Sequence, residues 1–181
     1  MAPASCRQNY DSSVSDAINN QINNELSASY AYLAMANHFG RVEVAMPGAQ
    51  SFFLKQSYEE REHAQKLVEY QMKRGGRVVL YDIAKPQEDT WKTLQDAFKT
   101  ALELEKGNNR ALLDLHCLAG QKNDPDCTKF LEDFYLGEQV TEIEQMARRY
   151  NQLRRVGPGL GEHLYDQELL RESAAKEPKS E

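Results

Sequence analysis

Glu25, Glu60, Glu105 and Gln139 stand at mid-helix positions where apolar residues would be expected. At about 100° per residue, positions seven or eleven apart on a helix fall within about 20° of each other, so the face each one occupies can be read from its neighbours. Ile18, Ile22, Ser29, Tyr32 and Ala36 surround Glu25, and Phe53 and Leu67 flank Glu60 with Ala64 beside it. Leu94, Phe98 and Leu112 frame Glu105, while Tyr135, Ile143, Met146 and Tyr150 frame Gln139, with Glu142 three residues further on. A single inward Glu would read as a boundary residue or a paired charge, because an isolated carboxylate is costly to bury. Three of them cannot be neutralised by Gln139 or by His63 alone. Their burial calls for a cation, and a metal ion is the simplest source of one. Carboxylate oxygens with one imidazole suit iron or manganese better than zinc or copper, which favour cysteine-rich sets.

Glu60-Arg61-Glu62-His63 is a Glu-x-x-His, which projects both ligands from one helix face. The motif is weak alone, but carboxylate-bridged bundles combine it with single Glu residues from other helices. The spacing predicts two unequal metal positions, one held by Glu25, Glu60 and His63 and the other by Glu60 and Glu105 with few protein ligands.

Elements long enough to present these faces are delimited by proline and glycine. The six prolines and the glycine pair Gly75-Gly76 leave uninterrupted helical patterns over about 12–39, 47–74, 93–122, 126–155 and 160–171. Asp124 before Pro125 reads as the cap of the fourth. The long patterns each span roughly 40 Å at ~1.5 Å per residue, which suits side-by-side packing. The connection from Gly75 to about Thr90 can travel the length of a bundle, and its RVVLYD stretch, 77–82, is read as an extended crossover. The expected fold is all-α: an antiparallel four-helix bundle with a long crossover between helices two and three and a short fifth helix. It forms one domain over 1–181, with a disordered tail at 173–181.

The 181 residues carry 22 Lys+Arg against 28 Asp+Glu, a net charge of −6. That sign disfavours nucleic acid and anionic membranes as partners. No apolar run reaches the ~18 residues of a membrane span, and the N-terminus lacks a signal-peptide h-region. The three cysteines, Cys6, Cys117 and Cys127, form no C-x-x-C pair, so reduced thiols and a cytoplasmic location are expected.

The sequence resembles eukaryotic ferritin of the heavy-chain, ferroxidase type. The resemblance rests on RQNY (7–10), ELSASYAYL (25–33), EEREHA (59–64), RGGR (74–77), the KP at 85–86, LEK (104–106), KNDP (122–125) and EQV (138–140). It implies a ferritin-like bundle assembled as a 24-subunit homo-oligomeric cage, alone or mixed with other ferritin subunits. Such a cage stores and detoxifies iron, with two irons per subunit at a dinuclear centre. There Fe(II) is oxidised to Fe(III) by O2 and deposited as ferric oxyhydroxide mineral. By the resemblance Glu25, Glu60, His63 and Glu105 are iron ligands, Glu60 bridges, Gln139 orients oxygen or water, and Tyr32 bonds to the site.

Glu59 and Glu62 match cavity-surface acids pointing away from the bundle axis, Gln65 replaces a third, and Glu142 is placed to receive departing iron. At the three-fold channel the family's D-F-x-E is here Lys129-Phe130-Leu131-Glu132, with Asp126 one turn earlier as a compensating acid. A lysine therefore faces the iron inlet. His116 is read as a packed or surface residue, His38 and His163 as surface residues near helix ends, and Trp91 as packing the start of the third helix. Two alternatives to iron oxidation are a structural shell that nucleates mineral without oxidising iron and, more remotely, a bundle oxygenase acting on an organic substrate.

Overall fold

The computed structural model describes residues 5–176. Helix α1 covers Ser12–Phe39, α2 Pro47–Lys73 and α3 Leu94–Gln121. The fourth rod is α4 (Pro125–Leu131), a π-helical turn (Glu132–Leu136) and α5 (Gly137–Val156) in unbroken succession, and α6 covers Leu160–Lys176. No strand occurs among the described residues.

The helix boundaries follow local chemistry. Asp11 caps α1 by accepting from the Ser13 amide at 2.8 Å, Thr93 caps α3 by accepting from the Asp96 amide at 3.1 Å, and Asp124 caps α4 by accepting from the Cys127 amide at 3.0 Å. Pro47 and Pro125 occupy first-turn positions, where no amide hydrogen is needed. Gly75 ends α2 in the left-handed region at φ +72°. Gly48 acts differently. A Cβ there would lie 1.9 Å from the Asp166 carbonyl, so it marks the close approach of α2 and α6 rather than a turn.

Helices α1 and α2 pair as one hairpin, α3 and the α4–α5 rod as another, and α1 against α3 joins the two. The crossover runs extended, held where Asn19 donates to the Arg77 carbonyl and accepts from the Val79 amide, both at 3.1 Å. Arg74 ties three segments together, with bonds to buried Asp124 at 2.9 and 3.0 Å, to Asp126 at 3.0 Å and to the Asn9 carbonyl at 2.8 Å.

Two sequence expectations are corrected. The last helix continues past 171 to Lys176 because it docks on α2 and α5. Ser173 shares a 2.6 Å hydrogen bond with Ser51, Glu172 accepts from Arg149 at 2.8 Å, and Leu169 is buried. The first residues of the expected disordered tail, 173–176, are thus helical, and 177–181 lie outside the described residues. His38, expected at the surface, is buried between Phe39 and Trp91, with ring centroids 4.9 and 5.5 Å away.

The apolar core is in two parts. One is built around Phe39, Phe53, Phe98 and Met146, the other around Ile18, Ile22, Leu67 and Leu112. Buried Glu25, Glu60, Glu105 and Gln139 belong to neither cluster. A polar layer interrupts the bundle at mid-height.

Candidate metal centre

One carboxylate comes from each of the first three helices, as their apolar faces predict. Glu25, Glu60 and Glu105 are all essentially inaccessible, at 0%, 1% and 1% exposure, and His63 and Gln139 are buried with them. Glu25 Oε1 accepts from Gln21 at 2.8 Å and Oε2 from Asn108 at 2.9 Å, while Gln21 also donates to Asn108 Oδ1 at 2.6 Å. Glu105 accepts from the Tyr32 hydroxyl on one oxygen and from Gln139 Nε2 at 2.5 Å on the other. Both outer carboxylates are therefore aimed by neutral donors. Neither oxygen of Glu60 accepts a hydrogen bond, although both are buried, and His63 Nδ1 lies 3.5 Å from one of them.

Buried carboxylate oxygens without a partner are unusual, and here they converge. Glu25, Glu60 and His63 place one ligand atom each within 4.8 Å of one another, and Glu60, Glu105 and Glu142 do the same. Glu60 belongs to both sets, which is the geometry of a carboxylate shared between two cations. The donor set of carboxylate oxygens with one imidazole fits hard or borderline divalent ions. Glu142 enters as a member of the second set rather than only as a residue beyond it. One of its oxygens is also buried without a partner.

The charge state agrees with that reading. Burial, then the Glu60 charge, raises Glu25 well above the usual carboxylate range, and burial, then the Glu105 charge, does the same for Glu60. Burial raises Glu105 against the opposing bonds from Tyr32 and Gln139. Glu142 is pushed up to about 8 by burial and by Glu105. Without a cation Glu142 therefore keeps its proton at neutral pH, and Glu25, Glu60 and Glu105 are shifted in the same direction. A divalent ion would displace those protons.

The π-helical turn decides which residue of Glu138-Gln139 faces inward. On a straight helix Glu138, eleven residues after buried Cys127, would lie about 20° from it, and Gln139 about 120° away. The extra residue of the π turn rotates the rest of the rod by about one position. Gln139 therefore reaches Glu105, and Glu138 is left half-exposed with its carboxylate 3.5 Å from His63 Nε2.

Sequence reasoning missed Gln21, Asn108 and Glu138. The first two were detectable as polar residues four before Glu25 and three after Glu105, on the same buried stripes. Glu138 was not, since a straight helix misplaces it. Glu62 is exposed as expected. Glu59 is half-buried and pairs with Lys55 at 2.8 Å, lining a groove of about 260 Å³ that Glu138 and Glu142 also line. It thus faces the approach to the centre rather than standing apart from it.

At the other end of the rod the residues expected to line a channel are engaged within the chain. Asp126 pairs with Arg74 at 3.0 Å, Glu132 with His116 at 2.8 Å, and Lys129 with Asp133 at 2.8 Å. Lys129 was expected to face the iron inlet, and within the chain its ammonium is engaged by Asp133. It turns to Asp133 because residues four apart are neighbours on a helix surface. No helix of the described residues is long and apolar enough to cross a membrane.

Residues 15–156 match the family model described as a ferritin-like domain. The chain is 50% identical over 174 residues to a soma ferritin of Lymnaea stagnalis, covering 96% of this chain and 100% of that protein. It is also 50% identical over 164 residues to a ferritin heavy chain of Echinococcus granulosus, covering 91% of this chain and 95% of that one.

Proposed function

Because the chain belongs to the ferritin family, we propose that it is an iron-storage subunit with ferroxidase activity, oxidising Fe(II) with O2 and delivering ferric iron to a mineral inside a 24-subunit cage. The observation that carries this reading is Glu60, a buried carboxylate with no hydrogen-bond partner that is common to two adjoining ligand sets. Iron is the substrate: two Fe(II) give up one electron each, and O2 accepts both together with two protons from solvent, leaving as hydrogen peroxide. Glu25, Glu60 and His63 hold one Fe(II), and Glu60, Glu105 and Glu142 hold the other, leaving coordination positions open. Gln21 and Asn108 fix Glu25, and Tyr32 and Gln139 fix Glu105, so the spacing is set before substrate arrives. The groove past Glu142, Glu138 and Glu59 is the outlet for oxidised product. Three free thiols, Cys6, Cys117 and Cys127, support a cytoplasmic location.

The test is anaerobic Fe(II) titration followed by exposure to air. Two Fe(II) per chain, oxidised far faster than iron in buffer, is the expected result. Iron that oxidises no faster with protein than without it leaves only a structural shell.

Lys129→Asp tests the inlet. In a cage whose three-fold channel is lined by Asp126, Lys129 and Glu132, removing the lysine leaves an acidic ring that draws in cations, over a Debye length of about 8 Å at physiological salt. Oxidation by assembled shells is expected to quicken a few-fold at low ionic strength, with the gain fading as salt rises. Stopped-flow rates measured at two salt concentrations check this. Equal rates for variant and parent at low salt would place the inlet elsewhere.

A further inference from the structure

The π turn presents a second contact to the centre, through Tyr135. Eight residues after Cys127, Tyr135 would lie about 80° from the inward stripe of a straight helix. The π turn brings it in, to 3% exposure, and its hydroxyl donates to the backbone carbonyl of His63 at 2.8 Å. That carbonyl already belongs to the α2 hydrogen-bond ladder, but an amide oxygen has two lone pairs and can accept both bonds. The Tyr135 ring also packs edge-on to the His63 ring at 5.9 Å. One turn further along α2, the Lys66 ammonium lies over the rings of Phe134 and Tyr135, at 5.6 and 5.7 Å. The π turn thus grips one turn of α2, from His63 to Lys66, through a hydrogen bond and two cation–π contacts.

His63 is the only nitrogen ligand of the candidate centre: it shares one set with Glu25 and Glu60 and another with Glu138 and Glu142 on the groove side, and none with Glu105. Glu25 and Glu105 are each aimed by side-chain donors, whereas the His63 ring makes no side-chain hydrogen bond: Nδ1 faces Glu60 and Nε2 faces half-exposed Glu138, each at 3.5 Å. Something else must hold the ring at the right height. We propose that Tyr135 is a positioning residue for His63, its hydroxyl on the His63 carbonyl fixing the turn of α2 that carries the imidazole and so tuning the histidine-containing cation site selectively. The proposal rests on the metal-centre reading above. Partners of this kind are typically worth 10–100-fold in metal affinity. A contact made through the backbone belongs at the lower end of that range.

Tyr135→Phe removes the hydroxyl and keeps the ring and its packing. The probe is Co(II), added anaerobically to assembled shells of parent and variant, with binding followed by calorimetry and by visible absorption, which reports imidazole ligation. In the parent, two Co(II) sites per chain are expected, one carrying the imidazole signature. In the variant, that site should weaken about tenfold with an altered absorption envelope, while the histidine-free site stays within twofold. Unchanged affinity and spectrum at both sites overturn the proposal and leave the metal-centre reading intact. Equal weakening of both sites also overturns it, since Tyr135 would then serve only general packing. A parent that binds no Co(II) overturns the metal-centre reading and the proposal together.

Discussion

Glu60→Gln is expected to slow Fe(II) oxidation at least 100-fold while making the iron-free protein more stable, and the pairing of these opposite effects identifies a ligand. The substitution preserves volume, so no cavity term enters. It removes the one carboxylate common to both ligand sets, so both cations lose a charged donor together. In the iron-free state the same carboxyl is 1% exposed and accepts no hydrogen bond, so folding at neutral pH costs either the burial of its charge or the uptake of a proton. Relieving about 1 kcal/mol of that cost raises Tm by roughly 2–4 °C for a protein of this size. A structural residue behaves otherwise, losing stability and activity in parallel. Thermal unfolding of iron-free shells and initial oxidation rates at low iron loading check the two halves. A rate within a few-fold of the parent would remove Glu60 from the centre. Glu25→Gln is a milder version, because Glu25 serves only one set and two amide donors already satisfy its oxygens.

The bundle was readable because its signals are local and repeated. Cap residues such as Asp124, first-turn prolines and the glycine after α2 fix the helix ends, and the seven-residue spacing around each Glu fixes which face turns inward. The centre was readable for the same reason: a carboxylate on an apolar stripe violates a strong rule, and three of them share one explanation. What was hidden depends on long-range packing. The extension of α6 to Lys176 is held by Ser51 and Arg149, far away in sequence. His38 is buried by Trp91, across the crossover. The π turn was hidden differently. Its residues, Glu132 to Leu136, carry no turn signal, and the burial of Cys127, Leu131, Tyr135 and Gln139, each four apart, is aligned on one stripe only by the π turn, where a straight α-helix would spread them over about 120°. That spacing is present in the sequence, but reading it requires knowing which four residues are inside. The ion pair of Lys129 could have been anticipated from the four-residue spacing to Asp133.

The iron-free protein is expected to lose stability as pH rises from about 5.5 to 8, and a bound divalent cation to reverse that slope. Glu25, Glu60, Glu105 and Glu142 all have folded values above the ordinary 4.5, with Glu142 at about 8. Below 4.5 folded and unfolded chains are both protonated at these positions, and no stability difference arises. Above it the unfolded chain releases its protons while the folded chain keeps them, so the folded state binds more protons and stability falls with pH, by up to about 1.4 kcal/mol per unit for each group still protonated. The loss continues until the folded groups ionise, near 8 for Glu142. Asp11, lowered to about 2 by its bonds from Ser13, acts in the opposite sense but only at acid pH. The surface pair of His116 with Glu132 is worth little. A cation that needs the carboxylates ionised binds more tightly as pH rises and stabilises by mass action, so its effect on Tm is larger at pH 8 than at 5.5. Thermal unfolding at the two pH values, with and without Co(II), checks both slopes, and Glu60→Gln should flatten each of them. An iron-free Tm that climbs between pH 5.5 and 8 would mean that the four carboxylates are ionised in the folded protein and balanced by some other charge.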